Sequence, residues 1–291
     1  MQTIKIGIHQ HVFTSKLGRG NLDILNLIKD IGYNSADINV RNINLDEAKI
    51  IKKRANSLNL TLMGGGSLPK NMGILSDVKD DRSDAIKYIK SLIDKVVEIG
   101  SDFYGGVIYA PCGLIIGRKV EKRELYRAIH ALKMITLYAK KFGIRVGIEP
   151  ANRYEIYVLN TIEDALNIID KINEPNLGIL YDTFHMNIEE KNFYNSIKMA
   201  NKKIFHMHVN ENDRGIPGSG HILWDEVFKA LKEIGYNRVI AIESFVDETI
   251  DIAAAACIWR KLAESPEILA TEGLKFLKSM VDKYKLPEVS N

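Results

Sequence analysis

The feature that most constrains this chain is the alternation of short β-branched apolar runs with longer amphipathic stretches, the pattern of repeated βα units that feed a parallel sheet. Eight such runs can be counted, at 4–9, 35–39, 60–64, 103–109, 145–150, 177–183, 204–210 and 238–244. Helix-like stretches fall at 23–31, 45–58, 82–99, 122–142, 162–172 and 224–234, and a long tail runs on from about 248. Several end at a glycine followed by a new run, in Ile31-Gly32-Tyr33, Ile99-Gly100-Ser101, Phe142-Gly143-Ile144 and Ile234-Gly235-Tyr236, where glycine can adopt the left-handed cap. A device repeated this often argues for a repeated unit. The order predicts an α/β chain folded as a single-domain (β/α)8 TIM barrel over residues 1–291, with a C-terminal helical extension from about 248. An open doubly wound sheet should carry a Gly-rich dinucleotide fingerprint after its first strand, and none is present. Gly64-Gly65-Gly66 lacks the Lys-Ser/Thr of a phosphate-binding loop and reads as a close-packed turn at the barrel mouth.

A chain of 291 residues, 46% hydrophobic, can bury one large core without disulfides. Its 40 Lys and Arg against 37 Asp and Glu give a scattered +3, with no basic block to track a phosphate backbone, so nucleic acid is not expected as a partner. Cys112 and Cys257 do not make a disulfide framework and fit a reducing cytosol. The start, Met1 to Ile8, alternates like a strand rather than reading as an export leader, so a cytoplasmic location is expected. Apolar runs such as 253–259 are far too short to span a bilayer, and no membrane partner is expected.

In such a barrel the loops after the strands build the site, so chemistry should be written at the strands' carboxyl ends. Four consecutive runs obey, ending in Gly147-Ile148-Glu149-Pro150, Leu180-Tyr181-Asp182-Thr183, His206-Met207-His208 and Ile242-Glu243-Ser244. A charged group leaving an apolar strand towards a barrel mouth must be paired or must bind a cation. Any one of these acids could instead cap the next helix or meet a lysine, but four in succession weaken that reading. Glu149, Asp182, His208 and Glu243 form an oxygen-rich donor set with one nitrogen, suited to Mn2+, Mg2+ or Co2+. His206, deeper in its strand, reads as a supporting core histidine rather than a ligand. Asn152, Arg153, Glu155, His185 and Arg214 follow in the loops and look like substrate clamps, although Arg153 reads equally well as a solvated charge. Arg214 lies in a long Gly-rich loop, 210–220, able to fold over a barrel mouth.

Ile148-Glu149, Asn152-Arg153-Tyr154-Glu155, Leu159-Asn160-Thr161, the run from Asp182 to Glu190, and Pro217-Gly218-Ser219-Gly220 together resemble the ketose 3-epimerase family of xylose isomerase-like barrels. The likeness covers most of the chain and is densest from Arg145 to Glu243. It implies that Glu149, Asp182, His208 and Glu243 hold a divalent ion, usually Mn2+, and that Glu149 and Glu243 double as the acid/base pair. It implies further that Glu155, His185 and Arg214 bind the oxygens near a sugar carbonyl, with His9, Gly66 and Tyr109 as further substrate contacts, and that the chain forms a homodimer or homotetramer. The departures fall at His9, Phe13 and Leu17, and at 108–112, which lacks a tryptophan expected near the far end of the sugar. Which ketose is taken therefore stays open. An aldose-ketose isomerase or inosose-type dehydratase could use a similar set. A non-catalytic sugar-binding barrel should have lost at least one of the two glutamates. An abasic-DNA endonuclease would need more histidines for its zinc cluster.

Overall fold

In the computed structural model eight parallel strands pair in chain order and the last closes on the first. They are β1 (Lys5–His9), β2 (Ser35–Asn39), β3 (Thr61–Gly65), β4 (Phe103–Gly106), β5 (Arg145–Ile148), β6 (Leu177–Asp182), β7 (Ile204–His208) and β8 (Val239–Ile242). The structure describes residues 4–245, 254 and 256–286. The closed barrel expected from the alternation is thus the fold. Several strands stop short of the apolar run that announced them. The fourth ends at Gly106, whose φ of +140° breaks the extended backbone, and Val107 gives its N–H to Ser67 Oγ instead of a neighbouring strand.

Nine helices are described: α1 (Asp23–Ile31), α2 (Leu45–Ser57), α3 (Lys79–Ile99), α4 (Lys122–Lys140), α5 (Ile162–Ile172), α6 (Thr183–Glu189), α7 (Phe193–Ala200), α8 (Trp224–Glu233) and α9 (Pro266–Tyr284). Gly32 and Gly100 close α1 and α3 in the left-handed conformation, with φ of +111° and +79°, as the glycine pattern required. Two short helices, α6 and α7, were not expected. The first starts directly on Asp182, so one residue ends a strand and caps a helix.

The expected extension from about 248 is corrected in part. Among the described residues, 254 and 256 are helical, 257–265 are not, and Ser265 caps a further helix that begins at Pro266; 246–253 and 255 lie outside the described residues. This α9 packs against α8 and β1, and its Ala270 carbonyl accepts from Tyr33 Oη at 2.7 Å, so it completes the ring of covering helices. Among the described residues no helix is long and apolar enough to cross a membrane.

The barrel interior is plugged by Met63, Phe103, Leu180, Phe205, Val239 and Ala241. Gly105 and Gly147 make room for it, since a Cβ there would lie 2.6 and 2.7 Å from Phe103 Cζ. The polar mouth therefore rests on a dry floor.

Candidate active site

The adjacency of β5, β6, β7 and β8 sets the predicted ends side by side, with Asp182 in register with His208 and His208 with Ala241, two residues before Glu243. One donor atom from each of Glu149, Asp182, His208 and Glu243 lies within 4.8 Å of the others. His208 Nδ1 stands 3.7 Å from Glu149 Oε1 and 3.5 Å from Glu243 Oε2. Asn210, fully buried, braces the group by donating to Asp182 Oδ1 and accepting from the Glu243 N–H, each at 2.8 Å.

Asp182 satisfies both readings the sequence allowed. Its Oδ1 accepts from the Phe184 N–H at 2.8 Å as a helix cap, while Oδ2 is buried without a hydrogen-bond partner. Arg214 Nη1 and His185 Nε2 stand 3.5 and 3.7 Å from that oxygen. His208 Nδ1 is likewise unpartnered. A carboxylate oxygen and an imidazole nitrogen without hydrogen-bond partners, buried beside two more carboxylates, make a site that a divalent cation would satisfy. The donor set fits a hard or borderline ion such as Mn2+, Co2+ or Mg2+.

The surroundings split the two glutamates. Burial and the nearby charge of Glu243 push Glu149 up to about 7, against the pull of His208. Burial would raise Glu243 too, but His208 and Arg214 outweigh it and hold the carboxyl well below the usual range. For His208 burial works downward, yet Glu243, Asp37 and Glu149 draw the imidazole well above its ordinary value. Burial lowers His185 to about 4, keeping it neutral. Asn152 Nδ2 lies 2.9 Å from His185 Nδ1, and the Asn152 N–H donates to the same nitrogen at 3.3 Å. Nδ1 is therefore the acceptor, and the Nε2–H faces the cavity.

Arg214 is buried at the wall of this cavity, with φ of +63°. Its guanidinium lies 4.1 Å from the Phe184 ring and 5.0 Å from the Phe245 ring, and Nη1 donates to Glu243 Oε2 at 2.7 Å. Glu211, fully buried, ties down the loop that carries it. One oxygen accepts from the Gly218 N–H and the Trp224 indole, the other from the Asn212 and Ile222 N–H groups, at 2.8–3.2 Å.

The cavity encloses about 1000 Å³ including its open mouth, and Glu155, His185, Arg214, His9 and Gly66 all line it. Tyr109 is a correction. It is wholly buried outside the lining, and its hydroxyl donates to the Glu149 and Leu159 carbonyls at 3.0 and 3.1 Å, so it steadies the backbone under Glu149 instead of meeting substrate. Arg153 is the surface charge its alternative reading described, bound to Glu189 at 2.8 Å. The sequence reading overlooked Asp37, Glu211, Asn210 and the two phenylalanines beside Arg214. Phe184 stood inside the most specific motif, and Asp37 was visible as the one charged residue of its strand, Ser35–Asn39. His11, Asn39 and Arg41, at or just beyond the ends of β1 and β2, also line the cavity, a polar stretch of wall in keeping with the departure from aromatic residues noted in the sequence.

The chain matches the xylose isomerase-like TIM barrel family over residues 25–280. It is 31% identical over 275 residues to a probable ketose 3-epimerase of Synechocystis sp., covering 94% of this chain and 96% of that protein. A solved L-ribulose 3-epimerase superposes with a TM-score of 0.92 at 27% identity, over 97% of this chain and 96% of the other. The D-allulose 3-epimerase of Methylomonas sp. in complex with D-allulose gives 0.90 at 25% identity, over 96% and 98%.

Proposed function

The chain belongs to the ketose 3-epimerases within the xylose isomerase-like TIM barrels, isomerases acting on carbohydrates, and from that premise we propose that it inverts C3 of a free ketose with the aid of a divalent cation. The observation that carries this reading is the pairing of two glutamates with opposed electrostatic surroundings around one buried donor set. Glu149, Asp182, His208 and Glu243 would hold the ion, with Mn2+ the expected one and Co2+ or Mg2+ able to substitute. When bound, the cation supplies Lewis acidity that polarises the C2 carbonyl and favours the enediolate.

The chain's own groups do the rest. Glu243, kept ionised by Arg214 and His208, takes the proton from C3, and the C–H electron pair moves into a C2–C3 double bond. Glu149, reprotonated from solvent once the sugar is bound, returns a proton to C3 from the opposite face, Glu243 releases to solvent the one it took, and the two exchange roles in the reverse direction. Arg214 and the His185 Nε2–H bind the developing oxygen charge, and Glu155 anchors a hydroxyl. The dry floor around Phe103 keeps water from competing for the proton. Cys112 and Cys257 are both unpaired, which supports a cytoplasmic setting.

The test is turnover in deuterated solvent, with Mn2+ and a panel of free ketoses of both six and five carbons. The C3 epimer carrying deuterium at C3 is expected. Deuterium at C1 or C2 with an aldose product would mark an aldose-ketose isomerase, and no product from any sugar would leave a binding barrel.

A second expectation concerns acidity. The folded-state value of Glu149 lies above its usual one, so the metal-free protein bears no penalty from this group below about pH 4.5 and loses stability as pH rises through about 7. A cation held here must displace that proton. Mn2+ affinity should therefore climb between about pH 5.5 and about pH 7.5, with proton release visible by calorimetry in two buffers of different ionisation heat. A flat affinity over that span would remove Glu149 from the donor set.

A further inference from the structure

We infer that Asp37 is a positioning residue for the ion-binding histidine, fixing the His208 ring so that its Nδ1 faces Glu149 and Glu243, with His206 holding Asp37 in turn. The inference rests on the proposed role of His208 as a ligand and extends it to a strand on the far side of the mouth. Asp37 sits mid-way along β2, and the two histidines alternate along β7, with β8 and β1 between the two strands. All three side chains are buried, at 4%, 1% and 5% exposure, so none has water as an alternative partner.

The hydrogen-bond geometry dictates the tautomers. Asp37 Oδ2 lies 2.5 Å from His206 Nε2 and 3.2 Å from His208 Nε2. A carboxylate oxygen can only accept, so each ring places its proton on Nε2. The other nitrogen of each ring is buried and unpartnered. For His206 that nitrogen belongs to a ring packed on Phe103, with centroids 5.0 Å apart. For His208 it points at the glutamates, 3.7 and 3.5 Å away. The carboxylate thus selects the nitrogen that is left for an ion and turns it towards the glutamates.

Asp37, His206 and His208 stand close enough together to suggest a second ion site. The distances argue against it. Two donors on one ion, each with a bond of about 2.1 Å, keep about 3 Å between them, whereas the 2.5 Å between Asp37 Oδ2 and His206 Nε2 is that of a short hydrogen bond. The three form a relay that ends on the proposed ion, and they do not form a site of their own.

A carboxylate behind a ligating imidazole raises its donor strength and fixes its orientation, worth about 10- to 100-fold in metal affinity. Asp37→Asn keeps the volume but removes the charge. Mn2+ binding by full-length protein, followed as loss of the free-ion electron paramagnetic signal, should weaken in D37N by about 10- to 100-fold. Binding within about twofold of the parent overturns the inference and leaves the proposed function standing. A parent chain that binds no Mn2+ overturns both. A second measurement needs no variant: in the parent loaded with diamagnetic Mg2+ and labelled with 15N-histidine, His208 should carry a proton on Nε2 and none on Nδ1. The opposite tautomer rejects the relay even if D37N does not fold.

Discussion

Glutamine at position 149 or 243 is expected to lower epimerase turnover by about a thousandfold or more, because an amide keeps the shape and one hydrogen bond of the carboxyl but cannot carry a proton between faces of a sugar. The two variants should part company in stability. Glu149 is the group whose surroundings already favour the neutral form, so Glu149→Gln should leave the metal-free melting temperature near that of the parent or above it. Glu243→Gln removes the charge facing the buried Arg214 guanidinium, although the amide oxygen can still accept from it, and losing the charged half of a buried pair costs up to about 3–5 kcal/mol. Asp182, 3.5 Å from the same guanidinium, should recover part of it. Initial rates with the preferred ketose and thermal melts of the metal-free proteins check both halves. Near-parental turnover in either variant would sink the two-base assignment.

Stripping divalent ions with a chelator should abolish turnover, and Mn2+ should restore it. The reason lies in the charges left behind: three carboxylates and an imidazole converge within 4.8 Å, and without an ion burial and the charge of Glu243 hold Glu149 towards its neutral form. Binding should also be visible in the fold. An ion at a hundred times its dissociation constant adds about 2.7 kcal/mol to the native state, a rise of about 5 °C in melting temperature for a domain of this size. A protein that turns over at full rate after exhaustive chelation would show that the cluster is electrostatic scaffolding alone.

How much of this could be read from the amino-acid order depends on which interactions are periodic. The strands and their glycine stops repeat, and they announce the barrel. The acids and the imidazole at the ends of β5 to β8 break an apolar run at its last residues, so local sequence exposed them too. Asp37 obeys neither rule. Its meaning comes from a pairing across the mouth with residues 169 and 171 positions away, which no local pattern encodes. Tyr109 misled for the complementary reason. The family resemblance implied a substrate contact there, but only the folded chain reveals that the Glu149 and Leu159 carbonyls already occupy its hydroxyl. The break at 257–265 was hidden because the apolar stretch before it carries the same helical pattern, and only Pro266 marks a new first turn.

The Glu211 clamp has a consequence for traffic. With four donors converging on one buried carboxylate, the segment that delivers Arg214 cannot swing outward without stranding that charge. Any breathing that admits or releases a ligand then falls to other parts of the mouth, among them the stretch past His11, Asn39 and Arg41, rather than to the arginine-bearing loop.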